Sequence, residues 1–168
     1  YFNLSNYVGK KKTLAMGVSV DMQDNIAEDL SQGDIDYFWW SFDLFAEYPV
    51  GDGVLTAEAG FIDLDLDDAQ FLVDGSNIRD ARKTQGNGWY LQAGYLLSEL
   101  KLQPWASYES WESDGFADSG SFTNWRLGFT YFVKGHNANI KVGFENFEPD
   151  GHGESELQTF LLGFYITY

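Results

Sequence analysis

Eight times along this chain, apolar and polar residues alternate with a period of two. Residues 123–133, TNWRLGFTYFV, put Trp125, Leu127, Phe129 and Tyr131 on one face and Arg126, Gly128 and Thr130 on the other. Residues 137–147 set Ala138, Ile140, Val142 and Phe144 against Asn139, Lys141, Gly143 and Glu145 in the same way. Successive side chains of a strand point to opposite sides, so each segment reads as a strand with one apolar and one wet face. The segments fall near 12–22, 36–48, 53–63, 87–97, 100–111, 123–133, 137–147 and 156–168, and none carries a helical period. Residues 1–7, YFNLSNY, fit the tail of a further strand. The expected fold is all-β and antiparallel, with 1–168 as a single unit.

The connections alternate in length. Pro49–Gly53, Ser98–Glu99 and 134–136 are short, whereas 23–35, 64–86, 112–122 and 148–155 are long. Short turns on one rim and long loops on the other are the organisation of a transmembrane β-barrel. No apolar run approaches 18 residues and mean hydropathy is −0.30, so a membrane helix is ruled out, but barrel strands escape such averages.

Charge follows the same plan. Acids outnumber bases 26 to 10, for a net charge of −16, which argues against nucleic acid as a partner. With Asp63 at the edge of the second, the long loops carry 16 of those acids and 3 bases. Within the strands Asp21, Asp43, Glu47, Glu58, Lys101, Glu109, Arg126, Lys141 and Glu145 all take the phase opposite the apolar one. A charge facing hydrocarbon near the bilayer midplane costs about 2–4 kcal/mol, so a barrel in lipid requires this segregation. A soluble sheet with one wet face would show it too. Aromatic residues make up 18% of the chain, too many for a disordered acidic segment. Tyr48, Tyr90, Tyr95, Trp111, Trp125, Tyr131 and Tyr168 lie near strand ends, where interfacial belts form, while Trp39 and Trp105 take the inward phase. With no cysteine there is neither a disulfide framework nor a thiolate metal site.

The final residues, FLLGFYITY, place Phe160, Leu162, Phe164, Ile166 and Tyr168 on one face, and Gly163 lies five residues before the end. Gly163, Phe164, Ile166 and Tyr168 resemble the carboxy-terminal signal that barrel insertion machinery recognises. A wider resemblance runs through Tyr7–Gly17, Asp43–Pro49, Gly88–Leu97, Leu102–Glu109 and Tyr131–Val142. Taken in order, these stretches are similar to the carboxy-terminal half of the phosphate-selective porin O and P family. The resemblance implies a bacterial outer-membrane channel, sixteen-stranded and homotrimeric, that passes phosphate or other small anions and contacts lipid and lipopolysaccharide. Eight strands in this chain then amount to half a barrel.

The inward residues expected to line a pore are Asp43, Glu47, Glu58, Ser107, Glu109, Arg126, Lys141 and Glu145. Ser107 stands where the resembled family commonly has a basic residue. Six acids against three bases among the nine inward charges predict a mildly cation-favouring lumen. Arg79, Arg82 and Lys83, the bases of the 64–86 connection, are candidates for a loop lowered into the pore to set selectivity. Asp63, Asp65 and Asp67 alternate at a strand end and suit a hard divalent cation bridging to lipopolysaccharide. His136 and His152 lie far apart in a turn and a loop, and no catalytic constellation forms, so neither an enzyme nor a cofactor is expected.

The function expected is passive diffusion of small ions or solutes. The alternative is a closed eight-stranded barrel acting as an anchor or adhesion surface through its acidic loops, since eight strands leave an interior filled by side chains. A soluble binding sheet is the third reading.

Overall fold

The computed structural model describes residues 7–29, 33–67, 70–73, 77–80, 82, 84–115, 120–135, 137–151, 153 and 155–166. Its strands are β1 (Thr13–Asp29), β2 (Gly33–Val50), β3 (Gly53–Asp65), β4 (Gln70–Val73), β5 (Asn77–Asp80), β6 (Gly86–Leu97), β7 (Leu102–Ser113), β8 (Ser121–Phe132), β9 (Ala138–Asp150) and β10 (Leu157–Ile166). Eight of them form one antiparallel sheet in the order β1-β2-β3-β6-β7-β8-β9-β10, and β4 pairs only with β5. No helix among the described residues is long and apolar enough to cross a membrane.

The register keeps the two phases apart across the whole sheet. Val18 faces Phe42, Phe42 faces Phe61, and Phe61 faces Trp89. Further along, Ala106 faces Leu127, Leu127 faces Phe144, and Phe144 faces Phe160. A slip of one residue anywhere would drop a row of charges onto the apolar side, so the alternation itself fixes the pairing.

The apolar face lies open. Met16, Val18, Phe129, Phe160 and Phe164 are exposed, with Met16 at 70% and Phe160 at 72%. Its aromatics form two tiers. Trp40 packs on Phe61, Trp89 on Tyr108, and Trp125 on Phe144, with ring centroids 5.2, 5.2 and 5.5 Å apart. Toward the short turns come Tyr48, Tyr95 and Tyr131, and the Tyr95 hydroxyl donates to the Val50 carbonyl at 2.7 Å. Between the tiers this face carries no charged residue on any of the eight strands.

The polar face is crowded instead. Glu47, Thr56, Gln92, Gln103, Asn124 and Asn139 are buried, although no second sheet among the described residues is paired across this face. One face of a single-layered sheet becomes buried when the sheet curls and the side chains inside the curve converge. The hydrophobic cluster makes this concrete: Val54 of β3, Leu96 of β6 and Phe132 of β8 meet on that face at the short-turn end, with Val8 packed against them.

Two features depart from the sequence reading. Residues 23–29 and 33–35 are strand rather than loop, because β1 and β2 continue as a tall hairpin beyond the apolar band. Above that band the apolar–polar alternation that betrays a strand is lost. A bulge between Gln23 and Ala27 lets Asn25 adopt φ +55°, and its N–H donates to Asp36 Oδ1 at 3.0 Å. The 64–86 connection likewise holds the β4–β5 hairpin, which reaches back to β1. The second departure concerns closure. Among the described residues β1 and β10 do not pair, so the eight-stranded sheet has two free edges rather than forming a closed eight-stranded barrel.

Candidate functional site

The polar face gathers most of the expected site residues. At mid-height Arg126 of β8 stands directly between Ser107 of β7 and Glu145 of β9. Its Nη2 donates to Glu109 Oε1 at 2.7 Å, and its Nε donates to Glu145 Oε2. Asn124 joins the same group, its Nδ2 lying 2.9 Å from Glu109 Oε1 and 3.4 Å from Glu145 Oε2. Two carboxylates thus share one guanidinium and one amide. The Arg126 side chain is 16% exposed, so the charges are only partly withdrawn from solvent. Such charge-assisted bonds set side-chain geometry more firmly than a neutral pair does.

A second acid sits on the same face three strands away. Glu58 of β3 accepts from the Tyr90 hydroxyl at 3.1 Å and from Gln92 Nε2. Asp43 of β2 lies opposite Gly17 on one side and Gly60 on the other, neighbours that leave its carboxylate exposed. Lys141 faces Thr130 and Gly163. Trp105 lies over two glycines: a Cβ on Gly128 would fall 2.7 Å from its Cζ2, and one on Gly143 3.2 Å from its ring. The indole, Gly143 and the Arg126–Glu145 pair border a recess of about 360 Å³ that runs to Leu161 and Gly163 of β10.

Polar atoms without partners cluster here as well. Gln92 Oε1, Gln103 Nε2, Trp105 Nε1, Ser107 Oγ and both amide atoms of Asn139 are buried with no protein hydrogen bond. Leaving such a group without a partner costs about 1–3 kcal/mol, a cost concentrated on this face.

Glu47 departs from its expected role. It shares the polar phase but is fully buried at the short-turn end. Its Oε1 accepts from the Gly9 N–H at 2.9 Å and its Oε2 from the Tyr7 N–H at 3.2 Å. The residue therefore clamps the turn that precedes β1, and its carboxylate does not face an open lumen. Alternation gives the phase of Glu47 but not the backbone that would cover it. Tyr90 and Trp111 also depart. Tyr90 opposes Glu109 and Trp111 opposes Gly88, both on the polar face, so neither belongs to an outward belt.

The acidic run at the end of β3 does not converge on a cation. Asp63 and Asp65 oppose Trp40 and Phe38 on the apolar phase. Asp65 Oδ1 accepts the Asp67 N–H at 2.9 Å, and Asp67 Oδ2 accepts the Asp36 N–H at 2.8 Å. These carboxylates cap backbone at the long-loop rim, and among the described residues no three acids or histidines are placed to hold a metal. Beside them the buried Gln85 ties three elements together. Its Oε1 accepts the Leu66 N–H at 3.1 Å and its Nε2 donates to Asp114 Oδ2 at 2.9 Å. Nothing in the sequence singled that residue out.

Of the loop bases, Arg79 lies in β5 opposite Phe71, and Arg82 follows that strand. Lys83, His136, His152 and Tyr168 lie outside the described residues. Gly163, Phe164 and Ile166 lie in β10, where Phe164 and Ile166 point to the apolar face and Gly163 to the polar one.

No family model and no solved structure matches the chain. One relative is an uncharacterized protein of Aquifex aeolicus (strain VF5), 28% identical over 112 residues. The match covers 62% of this chain but 23% of that protein, so the chain spans less than a quarter of its relative's length.

Proposed function

We propose that the chain forms part of the wall of a bacterial outer-membrane channel for passive diffusion of small ions or solutes. The observation that carries this reading is the contrast between the two faces of one curled sheet. An uncharged apolar band lies open between two aromatic tiers, and the opposite face is polar, with buried groups that have no protein hydrogen bond. Left in water, each large apolar side chain of the band would forgo about 1.5–3 kcal/mol of burial, a loss that hydrocarbon removes. Strand length fits: Trp89 to Leu97 is nine residues, and a tilted transmembrane strand needs about 9–11.

In this reading the free edges of β1 and β10 are completed by further strands, as in the carboxy-terminal half of a sixteen-stranded porin of the phosphate-selective O and P type, assembled as a trimer. The match to a stretch of a longer Aquifex protein is in keeping with a wall segment of something larger. Lumen residues are Asp43, Glu58, Ser107, Glu109, Arg126, Lys141 and Glu145, which bias permeation by charge without performing chemistry. Acids prevail among them, so the pore prefers cations mildly. The alternative anchor function needs β10 to close on β1, and among the described residues those strands are not paired.

Planar-bilayer recording of the intact protein tests the proposal. Steady ohmic steps with a reversal potential on the cation side are expected. Absence of steady current from protein shown to be folded in the membrane would sink the channel reading.

A further inference from the structure

The turn before β1 is held across the polar face far more firmly than a connecting segment requires. Val8 and Gly9 adopt φ of +52° and +76°, and the Lys10 N–H closes the turn on the Tyr7 carbonyl at 3.1 Å. Glu47 receives the N–H groups of Tyr7 and Gly9. Val8 packs on Val54, Leu96 and Phe132, which come from three different strands. Lys11 Nζ stands 5.3 Å from the Tyr7 ring centroid, a cation–π distance that ties this lysine to the turn as well. The result is a strap lying inward over the feet of β2, β3 and β6. It presents Lys10, Lys11 and Lys12, all exposed, at the short-turn rim. The opposite rim carries most of the chain's acids.

We propose that Tyr7–Lys12 is a fixed strap narrowing the short-turn mouth of the lumen, with Glu47 as its positioning residue and Lys10, Lys11 and Lys12 as the charge filter of that mouth. The proposal rests on the channel reading for its function, while the seating of the strap stands apart from it. A pore with positive charge at one mouth and negative charge at the other passes ions unequally in the two directions. Exposed charges act over about 10 Å at 0.1 M salt and about 3 Å at 1 M, so the inequality is strong in dilute salt and fades in concentrated salt.

The test has two arms. The chain contains no cysteine, so single cysteines report cleanly. In refolded full-length protein, Val8→Cys should react with a water-soluble maleimide at least about tenfold more slowly than Lys10→Cys, since the former is packed and the latter exposed. Adding Glu47→Gln should erase most of that difference. Equal rates at positions 8 and 10 in the otherwise unchanged protein would overturn the strap, whether or not a current exists. In planar bilayers at 0.1 M salt, current should differ about twofold between the two polarities, and K10Q/K11Q/K12Q should abolish the difference with little change in conductance. Glu47→Gln should raise conductance and noise. Rectification that survives the triple substitution would overturn the filter. Slow labelling at position 8 together with no current at all would leave the strap standing and remove the channel.

Discussion

Glu145 and Glu47 share a phase and a face but work in opposite ways. At mid-height Glu145 answers a guanidinium, stays 22% exposed, and joins Glu109 and Asn124 around Arg126. At the foot Glu47 is buried outright and answers two backbone N–H groups. One carboxylate belongs to a charged cluster on the polar face; the other fixes the path of the chain. The difference arises from what reaches each side chain, since the turn at Tyr7–Lys10 covers the foot of the sheet and nothing comparable among the described residues covers its middle.

Removing Arg126 should separate the two regions most sharply. Arg126→Ala leaves two carboxylates facing each other, and loss of its charged hydrogen bonds should cost about 1.5–3 kcal/mol. Urea unfolding in detergent reads the loss, and the reversal potential should move strongly toward cations. An unmoved reversal potential would place the Arg126 cluster outside the ion path. Gly128→Ala acts between the two regions. Its new methyl group has no room beside Trp105 and the β9 backbone, and overpacking of this kind costs about 1–3 kcal/mol. Indole fluorescence should shift, and Gly143→Ala should do the same to a lesser degree.

Glu47→Gln is milder, because the amide keeps one acceptor oxygen. A loss of about 1 kcal/mol is expected, with the reversal potential held at its original value. A shift as large as that of Arg126→Ala would show that foot and middle are one electrostatic unit, and the comparison would fail. The smallest effect is expected from R79Q/R82Q/K83Q: no change in stability and a slight cationward shift in reversal potential. No shift at all would remove those bases from selectivity.

The sheet was legible in the sequence because its signal repeats. Leu127, Phe129 and Tyr131 on one phase, with Arg126, Gly128 and Thr130 on the other, state both faces of β8 outright. The same logic put Trp105 and Arg126 on the polar face. Where alternation stops, legibility stops too. The tall end of the β1–β2 hairpin and the β4–β5 hairpin lie beyond the apolar band, where no alternating pattern marks a strand, so their residues read as loop. Glu47 was hidden for another reason. Its phase follows from its neighbours on β2, but its burial depends on a turn almost forty residues earlier in the chain. Tyr90 and Trp111 were read as belt residues from type and position, and their phase places them on the other face. The aspartates at 63, 65 and 67 share a spacing that suits a cation, yet backbone N–H groups compete for those carboxylates and two of the three are engaged that way.

The free edges of the sheet carry a constraint of parity. β1 begins and β10 ends at the short-turn rim, because Thr13 opposes Glu47 near one turn and Ile166 opposes Ala138 near another. With six strands between them, each antiparallel to its neighbours, the two edges run antiparallel to one another. Any insert that bridges the gap with every neighbour antiparallel must supply an even number of strands and begin and finish on that same side. Such a wall can grow or shrink only by whole hairpins, and a variant that adds or deletes a single strand would have to force a parallel seam.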